Sequence, residues 1–312
     1  MTLSHIIPAP RNILLSHYYY LKRDIDRLGG ACRIVADSGA YTARYQGVTV
    51  TTKQLALWTK HWEQNLAWVA CLDIAHPDTS RTRTNWLKMV NDHQLPAIST
   101  LHAGDRPDEM DWYAEQGVDF LGIGGVAGAN LTAAAKWHWL TSVFKYAQDN
   151  HPQMRFHGWG MTGSDVVKLP FWSADSSGWG NAYRYGRVTF RDPFSNKDIS
   201  LALDGKAVFK HPELMHMLRD GYGVTPKQIA KAGPHNRDLL VRLSALSASV
   251  YEQRWRYLYR NRPVTAPQWG RLKGWNFGDD PGPHIHLVDG YFPFMRILSD
   301  MAKDYDEGRL PV

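Results

Sequence analysis

Short apolar runs alternate with amphipathic stretches through the first 175 residues of the chain. Each run is continuously apolar, which is typical of strands in a parallel sheet that helices cover on both faces. The stretches between them place apolar residues at helical spacing, as at Leu55, Trp58 and Trp62 behind the capping residue Thr51. The pattern predicts strands over 12–15, 33–37, 67–73, 97–102, 119–125, 155–160 and 171–175.

The repeated strand-then-helix unit predicts an α/β fold, and we favour a (β/α)8 TIM barrel. Polar or glycine residues follow the end of almost every predicted strand, which is where such a barrel carries its active site. An open doubly wound sheet is the alternative, but that fold would more often carry one glycine-rich phosphate loop.

The pattern changes in the second half of the chain. Residues 187–191 and 199–203 predict a hairpin inserted after the seventh strand, and a long helix follows over 235–259. The region 219–273 holds eleven Lys or Arg against three Asp or Glu, so its net charge of +8 exceeds the +6 of the whole chain. We predict a barrel core over 1–190, a hairpin and basic helical region that contacts nucleic acid over 191–275, and a segment that closes the barrel over 276–312.

Composition fits a globular protein, with 44% hydrophobic and 21% charged residues among 312. No apolar run approaches the ~20 residues that cross a bilayer, and the first residues lack a signal-peptide layout. Cys32 and Cys71 both lie in apolar runs, so we expect buried thiols and a cytoplasmic location, that of the host if the protein is viral. The basic balance and 12% aromatic content favour a polyanionic partner whose bases could stack.

Three predicted strands stop on an aspartate, namely Asp37, Asp73 and Asp175. In a barrel these carboxylates converge on one rim. Two carboxylates beside an anomeric carbon suit glycosidic-bond chemistry, because one attacks or stabilises C1′ while the other shuttles the proton. An ordinary β-turn is the plainer interpretation of residues 37–39. Glycines at later strand ends would open a flat slot for a planar heterocycle: Gly124, Gly125, Gly158 and Gly160.

Five short motifs resemble, in order and approximate spacing, those of the tRNA-guanine transglycosylase family, over residues 12–190. They are Val35-Ala-Asp-Ser-Gly-Ala-Tyr41, Leu72-Asp73, Gly122-Ile-Gly-Gly125, Gly158-Trp-Gly160 and Ser173-Ala-Asp175. The resemblance implies exchange of guanine for a 7-deazaguanine base through a covalent intermediate, a reaction that needs no organic cofactor or metal.

The resemblance also implies residue roles. Asp175 would be the nucleophile that takes the nucleoside C1′ as guanine leaves, and Asp37 would be the general acid/base. Asp73 would hydrogen-bond the purine-like face of the base, and His102 falls where the family carries a glutamine. The remaining implied base contacts are Ser38, Gly39, Tyr41, Gly124, Gly125, Gly158 and Met161, with Tyr41 and Met161 sandwiching the base.

One departure from the family concerns zinc. The family's tRNA enzymes carry a zinc site of three cysteines and a histidine, whereas this chain has no cysteine after Cys71. A substitute site would need converging ligands, and surface or substrate-contacting histidines are the simpler interpretation of His211, His216, His284 and His286. We therefore predict no metal site.

The missing zinc site and the basic region resemble the DNA-modifying branch of the family. These DpdA-type enzymes of phages and some bacteria exchange guanine in DNA for a base such as preQ0. The expected partners are thus DNA, with tRNA as the alternative, and a free 7-deazaguanine base, without a membrane; the oligomeric state stays open. An enzyme acting on a base in duplex DNA must first extrude that base from the stack.

Residues 251–262 interleave basic and aromatic residues. They supply most of the predicted nucleic-acid contacts, which are Arg237, Arg242, Arg254, Arg256, Arg260 and Arg262. An equally weighted interpretation is an amphipathic helix that packs Trp255, Leu258 and Tyr259 on the barrel and leaves its arginines in water.

Three other functions compete with DNA base exchange. A transglycosylase acting on tRNA would share the chemistry and differ in its polymer. A retaining glycoside hydrolase would also use two carboxylates, although such enzymes mostly place glutamates at the strand ends. A non-catalytic nucleic-acid-binding barrel would leave the three rim aspartates unexplained.

Overall fold

The computed structural model describes residues 7–25, 31–74, 78–126, 131–163, 166–202, 211–225, 227–229, 237–290 and 294–309. Its parallel strands form one sheet that curls into a barrel, and two antiparallel strands form a separate hairpin. In chain order the strands are β1 Asn12–Ser16, β2 Arg33–Asp37, β3 Val69–Ala70, β4 Ala97–Ile98, β5 Thr100–His102, β6 Phe120–Gly124, β7 Arg155–Gly158, β8 Ser173–Ser176, β9 Arg187–Arg191, β10 Asp198–Ala202 and β11 His284–Asp289.

The barrel closes through a divided strand. The sheet order is β4-β3-β2-β1-β11-β8-β7-β6-β5, so β4 and β5 are its two ends. Only Ser99 separates them, and its carbonyl accepts a hydrogen bond from Gly122 N–H of β6. On the other side, Ile98 O accepts from Cys71 N–H, just after β3. Residues 97–102 therefore act as one strand shared by both ends, and the predicted (β/α)8 TIM-barrel-like fold is confirmed.

Helices follow most barrel strands. They are α1 His17–Tyr20, α2 Ala40–Tyr45, α3 Thr52–His61, α4 Thr79–Leu87, α5 Glu109–Glu115, α6 Ala133–Asn150, α7 Asn181–Tyr185, α8 Leu214–His216, α9 Arg237–Leu258, α10 Trp269–Leu272 and α11 Met295–Asp306. Shorter helical turns occur at Lys88–Asp92, Val166–Lys168, Gly178–Gly180 and Met217–Gly221. Thr51 caps α3 through a reciprocal pair of bonds with Gln54, which satisfies backbone donors at the helix start.

Most predicted elements are present with shifted ends. All seven predicted strands occur, although the third shrinks to Val69–Ala70, and α3 ends at His61, one residue before Trp62. The hairpin pairs Ile199 with Phe190 as predicted. Two predicted boundaries lie outside the described residues: Leu203 of the hairpin and His235 of the long helix.

The strand β11 lies in the tail, where the sequence predicted a segment that closes the barrel but no strand. This strand pairs with β1 on one side and β8 on the other, and α11 follows it. His284 and His286 lie within it and are buried, with 1% and 0% of their surface exposed. The expectation that they are surface or substrate-contacting histidines is therefore wrong, because both pack inside a strand of the barrel.

Helix α9 runs along the barrel from its mouth to its base. Near its start, Ser244 donates to the carbonyl of Trp179, which follows β8 at the mouth. Near its end, Glu252 accepts from Ile285 N–H at the beginning of β11, and Arg256 donates to the carbonyl of Pro283. Its 22 residues span about 33 Å, so its two ends serve opposite faces of the barrel.

Aromatic rings fill the interior of the barrel. Trp68 packs edge-on against Phe120, with ring centroids 5.6 Å apart, and Phe120 packs against Trp172 in the same way at 5.2 Å. Cys71 is buried and Cys32 is partly buried, both as free thiols. Among the described residues, no helix has the length and apolar character needed to cross a membrane.

Candidate active site

The three predicted aspartates share the carboxyl-terminal rim of the barrel. Asp37 ends β2, Asp175 lies near the end of β8, and Asp73 follows β3 by three residues. Asp37 is partly buried, and burial raises its pKa from 3.8 to about 7, with further increases from the charges of Asp73 and Asp175. The charges of Asp73 and Asp175 act on Asp37 from the neighbouring parts of the same rim. At neutral pH, Asp37 can therefore hold a proton and release it.

Among the described residues, Asp175 has hydrogen-bond partners for only one of its two carboxylate oxygens. Its Oδ1 accepts a hydrogen bond from Gly160 N–H at 2.7 Å and contacts His157 Nε2 at 3.3 Å. None of the described residues hydrogen-bonds Oδ2. A carboxylate held by one oxygen and free at the other is arranged for nucleophilic attack.

Asp73 and His102 form a pair on the next part of the rim. His102 Nε2 lies 2.7 Å from Asp73 Oδ2, and the backbone N–H of His102 donates to Asp105 Oδ2 at 2.8 Å. Burial lowers the pKa of His102, but the hydrogen bond and charge of Asp73, with help from Asp105, outweigh burial and raise that pKa overall. Because a carboxylate only accepts hydrogen bonds, Nε2–H of His102 donates to Asp73, and Asp73 Oδ1 is left as the acceptor of the pair.

The glycines of β6 accommodate a neighbouring indole rather than an open slot. Trp159 donates from Nε1 to Thr100 Oγ1 at 3.1 Å. A Cβ on Gly122 would collide with Trp159 Nε1 and lie 3.0 Å from Thr100 Oγ1, and a Cβ on Gly124 would lie 2.8 Å from Thr100 Cγ2. The expected bare backbone at Gly124 is therefore covered by side chains of this protein.

Gly122→Ala is expected to destabilise the fold by about 1–3 kcal/mol, because the added methyl has no space beside Trp159. Urea unfolding would measure the change. Gly163→Ala is the matched control, since a Cβ there would meet no atom within 4 Å. Equal midpoints for the two variants would contradict this packing.

The other predicted base contacts surround the mouth at different depths. Ser38 is buried and Gly39 has φ +72°, where an added Cβ would lie 2.6 Å from Tyr18 N. Tyr41 is 70% exposed, and its ring packs at 4.7 Å against that of Tyr45. Deeper residues on this side are Gly125, beside His102, and Met161, which is buried against Gly158. Tyr41 and Met161 thus differ widely in exposure.

Three of the predicted nucleic-acid contacts are bound to groups of this protein. Arg242 pairs with Asp304 at 3.6 Å, and Arg254 binds Asp198 and the carbonyl of Asp192. Arg256 is held by Pro283 O, Glu252 and His284 at the base of the barrel. Their guanidinium groups already have partners. Exposed arginines of the predicted set are Arg237, at the mouth end of α9, and Arg260 and Arg262, just beyond its base end.

A cavity of about 780 Å³ lies at the opposite end of the barrel from the aspartates. Charged groups that line it neutralise one another, as in the contacts of Arg33 with Asp280 at 3.5 Å and of Arg256 with Glu252 at 3.1 Å. The amino-terminal face of a TIM barrel normally serves stability. We therefore place the candidate active site at the rim and not in this cavity.

Several residues of the site were not predicted from the sequence. His157 lies within β7, Ser173 begins β8, and Asp105 supports His102. Asp289 at the end of β11 accepts from Tyr20 Oη at 2.8 Å, and burial raises its pKa to about 6. The available signal was weak: a histidine and a serine at inward positions of otherwise apolar strands.

Comparisons with protein-family models, with curated proteins and with solved structures found no match. The described residues contain no group of three or more His, Cys, Asp or Glu arranged to hold a metal ion. The class that the fold and site define is a TIM-barrel-like protein with three coupled carboxyl groups at its mouth.

Proposed function

We propose that the protein is a DNA guanine transglycosylase, which exchanges guanine for a 7-deazaguanine base such as preQ0. The observation that carries the proposal is the state of two carboxyl groups at one rim. Asp175 has one oxygen held by Gly160 N–H and one that no described residue hydrogen-bonds, and the pKa of Asp37 is raised to about 7. A carboxyl group that can hold a proton at neutral pH, beside a carboxylate with one oxygen unbonded, can supply an acid/base and a nucleophile. The motif order along the chain supports the same assignment.

In the first step, Asp175 Oδ2 attacks C1′ of the target nucleotide. The C1′–N9 bond breaks, an ester bond to Asp175 forms, and the proton on Asp37 passes to the departing guanine. In the second step, Asp37 takes the N9 proton of the incoming base, whose N9 attacks C1′ and releases the Asp175 carboxylate. Two inversions at C1′ retain the β-anomer.

The Asp73–His102 pair fits recognition of the base. The free oxygen of Asp73 would accept from the N1–H and exocyclic amine of a guanine-like face. His102 donates from Nε2 to the other oxygen of Asp73 and so holds that carboxylate in place for the base. Both guanine and a 7-deazaguanine present these groups, so one pocket can hold the leaving and the incoming base.

A basic and aromatic surface beside the mouth supports a nucleic-acid substrate. It is formed by α7, by the first residue of β9 and by the start of α9, and its residues are Tyr183, Arg184, Tyr185, Arg187 and Arg237. Arg237 lies over the Tyr183 ring at 4.9 Å, and Tyr185 is 72% exposed. Arginines would bind phosphates while an exposed ring stacks on a base flanking the extruded nucleotide.

DNA is proposed over tRNA because the chain lacks the cysteines of the tRNA enzymes' zinc site. A DNA substrate also agrees with a cytoplasmic location. Arg260 and Arg262 lie beyond the end of α9 at the base of the barrel, far from the carboxylates. The proposed contact with DNA therefore rests on the basic surface at the mouth.

The deciding experiment offers labelled preQ0 with duplex DNA and, in parallel, with unmodified tRNA. Incorporation into DNA without strand loss is the expected result. Incorporation into tRNA alone would keep the mechanism and overturn the polymer. Release of guanine without incorporation would indicate a hydrolase, and no reaction with either polymer would refute base exchange.

A further inference from the structure

His157 lies wholly buried beneath the candidate nucleophile. In the pairing of β7 with β8, its Cα is the partner of Ser173, two residues before Asp175. Its Nδ1 lies 2.8 Å from Ser173 Oγ, and its Nε2 lies 3.3 Å from Asp175 Oδ1. The imidazole thus connects a serine at the start of β8 to the carboxylate near its end.

The chemistry of these partners fixes the proton on the imidazole. A carboxylate only accepts hydrogen bonds, so Nε2 carries the hydrogen and donates it to Asp175. The ring is neutral, because burial lowers the pKa of His157 more than Asp175 raises it. Nδ1 is then a bare acceptor, and the hydroxyl of Ser173 donates to it.

Other groups around the ring leave this arrangement undisturbed. Trp68 and Trp159 pack edge-on against it, with centroids at 5.0 and 4.3 Å. His286 of β11 packs at 5.6 Å, and burial keeps the pKa of that histidine well below its usual value. The only charge that the described residues bring to the ring is that of Asp175.

We infer that His157 is a positioning residue for Asp175. Ser173 holds the imidazole in its Nε2–H form, and that N–H acts with Gly160 N–H to fix Oδ1, so that Oδ2 is the oxygen presented to C1′. The inference rests on the proposed function for the role of Asp175. The hydrogen-bond arrangement itself can be measured without any activity.

Three variants separate positioning from packing. His157→Phe keeps an aromatic ring among the tryptophans but has no donor. His157→Asn places its amide nitrogen near the position of Nδ1, where it reaches Ser173 but not Asp175. His157→Gln places its amide nitrogen near the position of Nε2, where it can still donate to Asp175.

The rate of covalent adduct formation and the kcat and KM for exchange would be measured for each variant. We expect His157→Phe and His157→Asn to slow adduct formation by about 10–100-fold, with KM for the base within about twofold, because a misplaced nucleophile loses its attack geometry. His157→Gln should recover most of the rate. A Gln variant as slow as the Phe variant, or a Phe variant as fast as wild type, would overturn the inference.

The second readout is the ¹⁵N spectrum of histidine-labelled protein, with the His157 signal assigned by its loss in His157→Gln. We expect the Nε2–H tautomer at pH 7 and above, and a loss of this preference in Ser173→Ala. An imidazolium or an Nδ1–H tautomer would overturn the arrangement even in an active enzyme. The expected tautomer in a protein that exchanges no base would instead refute the proposed function.

Discussion

Asp175→Asn is expected to abolish base exchange, by about 10⁴-fold or more, while the protein remains folded. The amide oxygen can still accept from Gly160 N–H and His157 Nε2–H, so the local hydrogen bonds survive. The amide cannot form the ester to C1′, because it lacks a nucleophilic carboxylate oxygen. Trapping of the protein–nucleic acid adduct on denaturing gels, together with labelled-base incorporation, would measure the loss.

Asp149→Asn is the matched control for this substitution. Asp149 lies near the end of α6, is exposed and pairs with Lys145 at 2.9 Å, away from the rim. Its variant should exchange bases at the wild-type rate. Turnover by Asp175→Asn, with a melting temperature equal to that of wild type, would rule out Asp175 as the nucleophile.

Asp37→Asn is expected to stabilise the protein at pH 8 while it prevents release of guanine. The folded pKa of Asp37 is about 7, against an ordinary value of 3.8, so the folded state binds more protons between these limits. The free energy of unfolding therefore falls as pH rises through this window, and the full cost is present above pH 7. A neutral amide removes that cost, which we place at roughly 1–3 kcal/mol.

Urea unfolding of both proteins at pH 4 and pH 8 tests the sign. The gain should be present at pH 8 and nearly absent at pH 4, where Asp37 of the wild type is already neutral. Asp149→Asn should change stability by no more than about 0.5 kcal/mol at either pH. A gain of equal size at both pH values would contradict the charge coupling among the rim carboxylates.

The strand ends were predictable because each buried strand of a parallel barrel is a short apolar run that stops at a polar residue. Asp37, Asp73 and Asp175 each stop an apolar run, and a parallel barrel must bring such positions to one rim. The raised pKa of Asp37 and the pairing of Asp73 with His102 depend on distances between strands that are separated along the chain. Those distances are visible only in the folded structure.

His157 illustrates what the sequence pattern could not show. Its meaning depends on the register of β7 against β8, which sets its Cα opposite Ser173 and its ring below Asp175. Spacing along one strand carries no information about that register. The same limit applies to Gly122. A side chain there would collide with the indole of Trp159, which directly follows the neighbouring strand β7.

The strand β11 was missed because its apolar pattern is interrupted by His284 and His286. Both histidines are buried, and a buried histidine is less common than an exposed one or a ligand. The arginines show a second limit of the sequence pattern, because it does not reveal which of them have partners within the protein. Their density over 219–273 indicated a polyanion, yet Arg254 and Arg256 spend their hydrogen bonds on the hairpin and on the start of β11.

The position of β11 also constrains when the barrel can form. This last strand inserts between the first and the seventh, pairing Ile13 with Leu287 and Asp175 with His286. During synthesis, the facing edges of β1 and β8 therefore keep unpaired backbone N–H and C=O groups until β11 has left the ribosome. Closure joins residues far apart in sequence, such as Ile13 and Leu287, which makes it a slow event of high contact order. The hydrogen bond from Tyr20 of α1 to Asp289 of β11 then fixes this strand, so the ring of strands that carries the rim carboxylates is completed last.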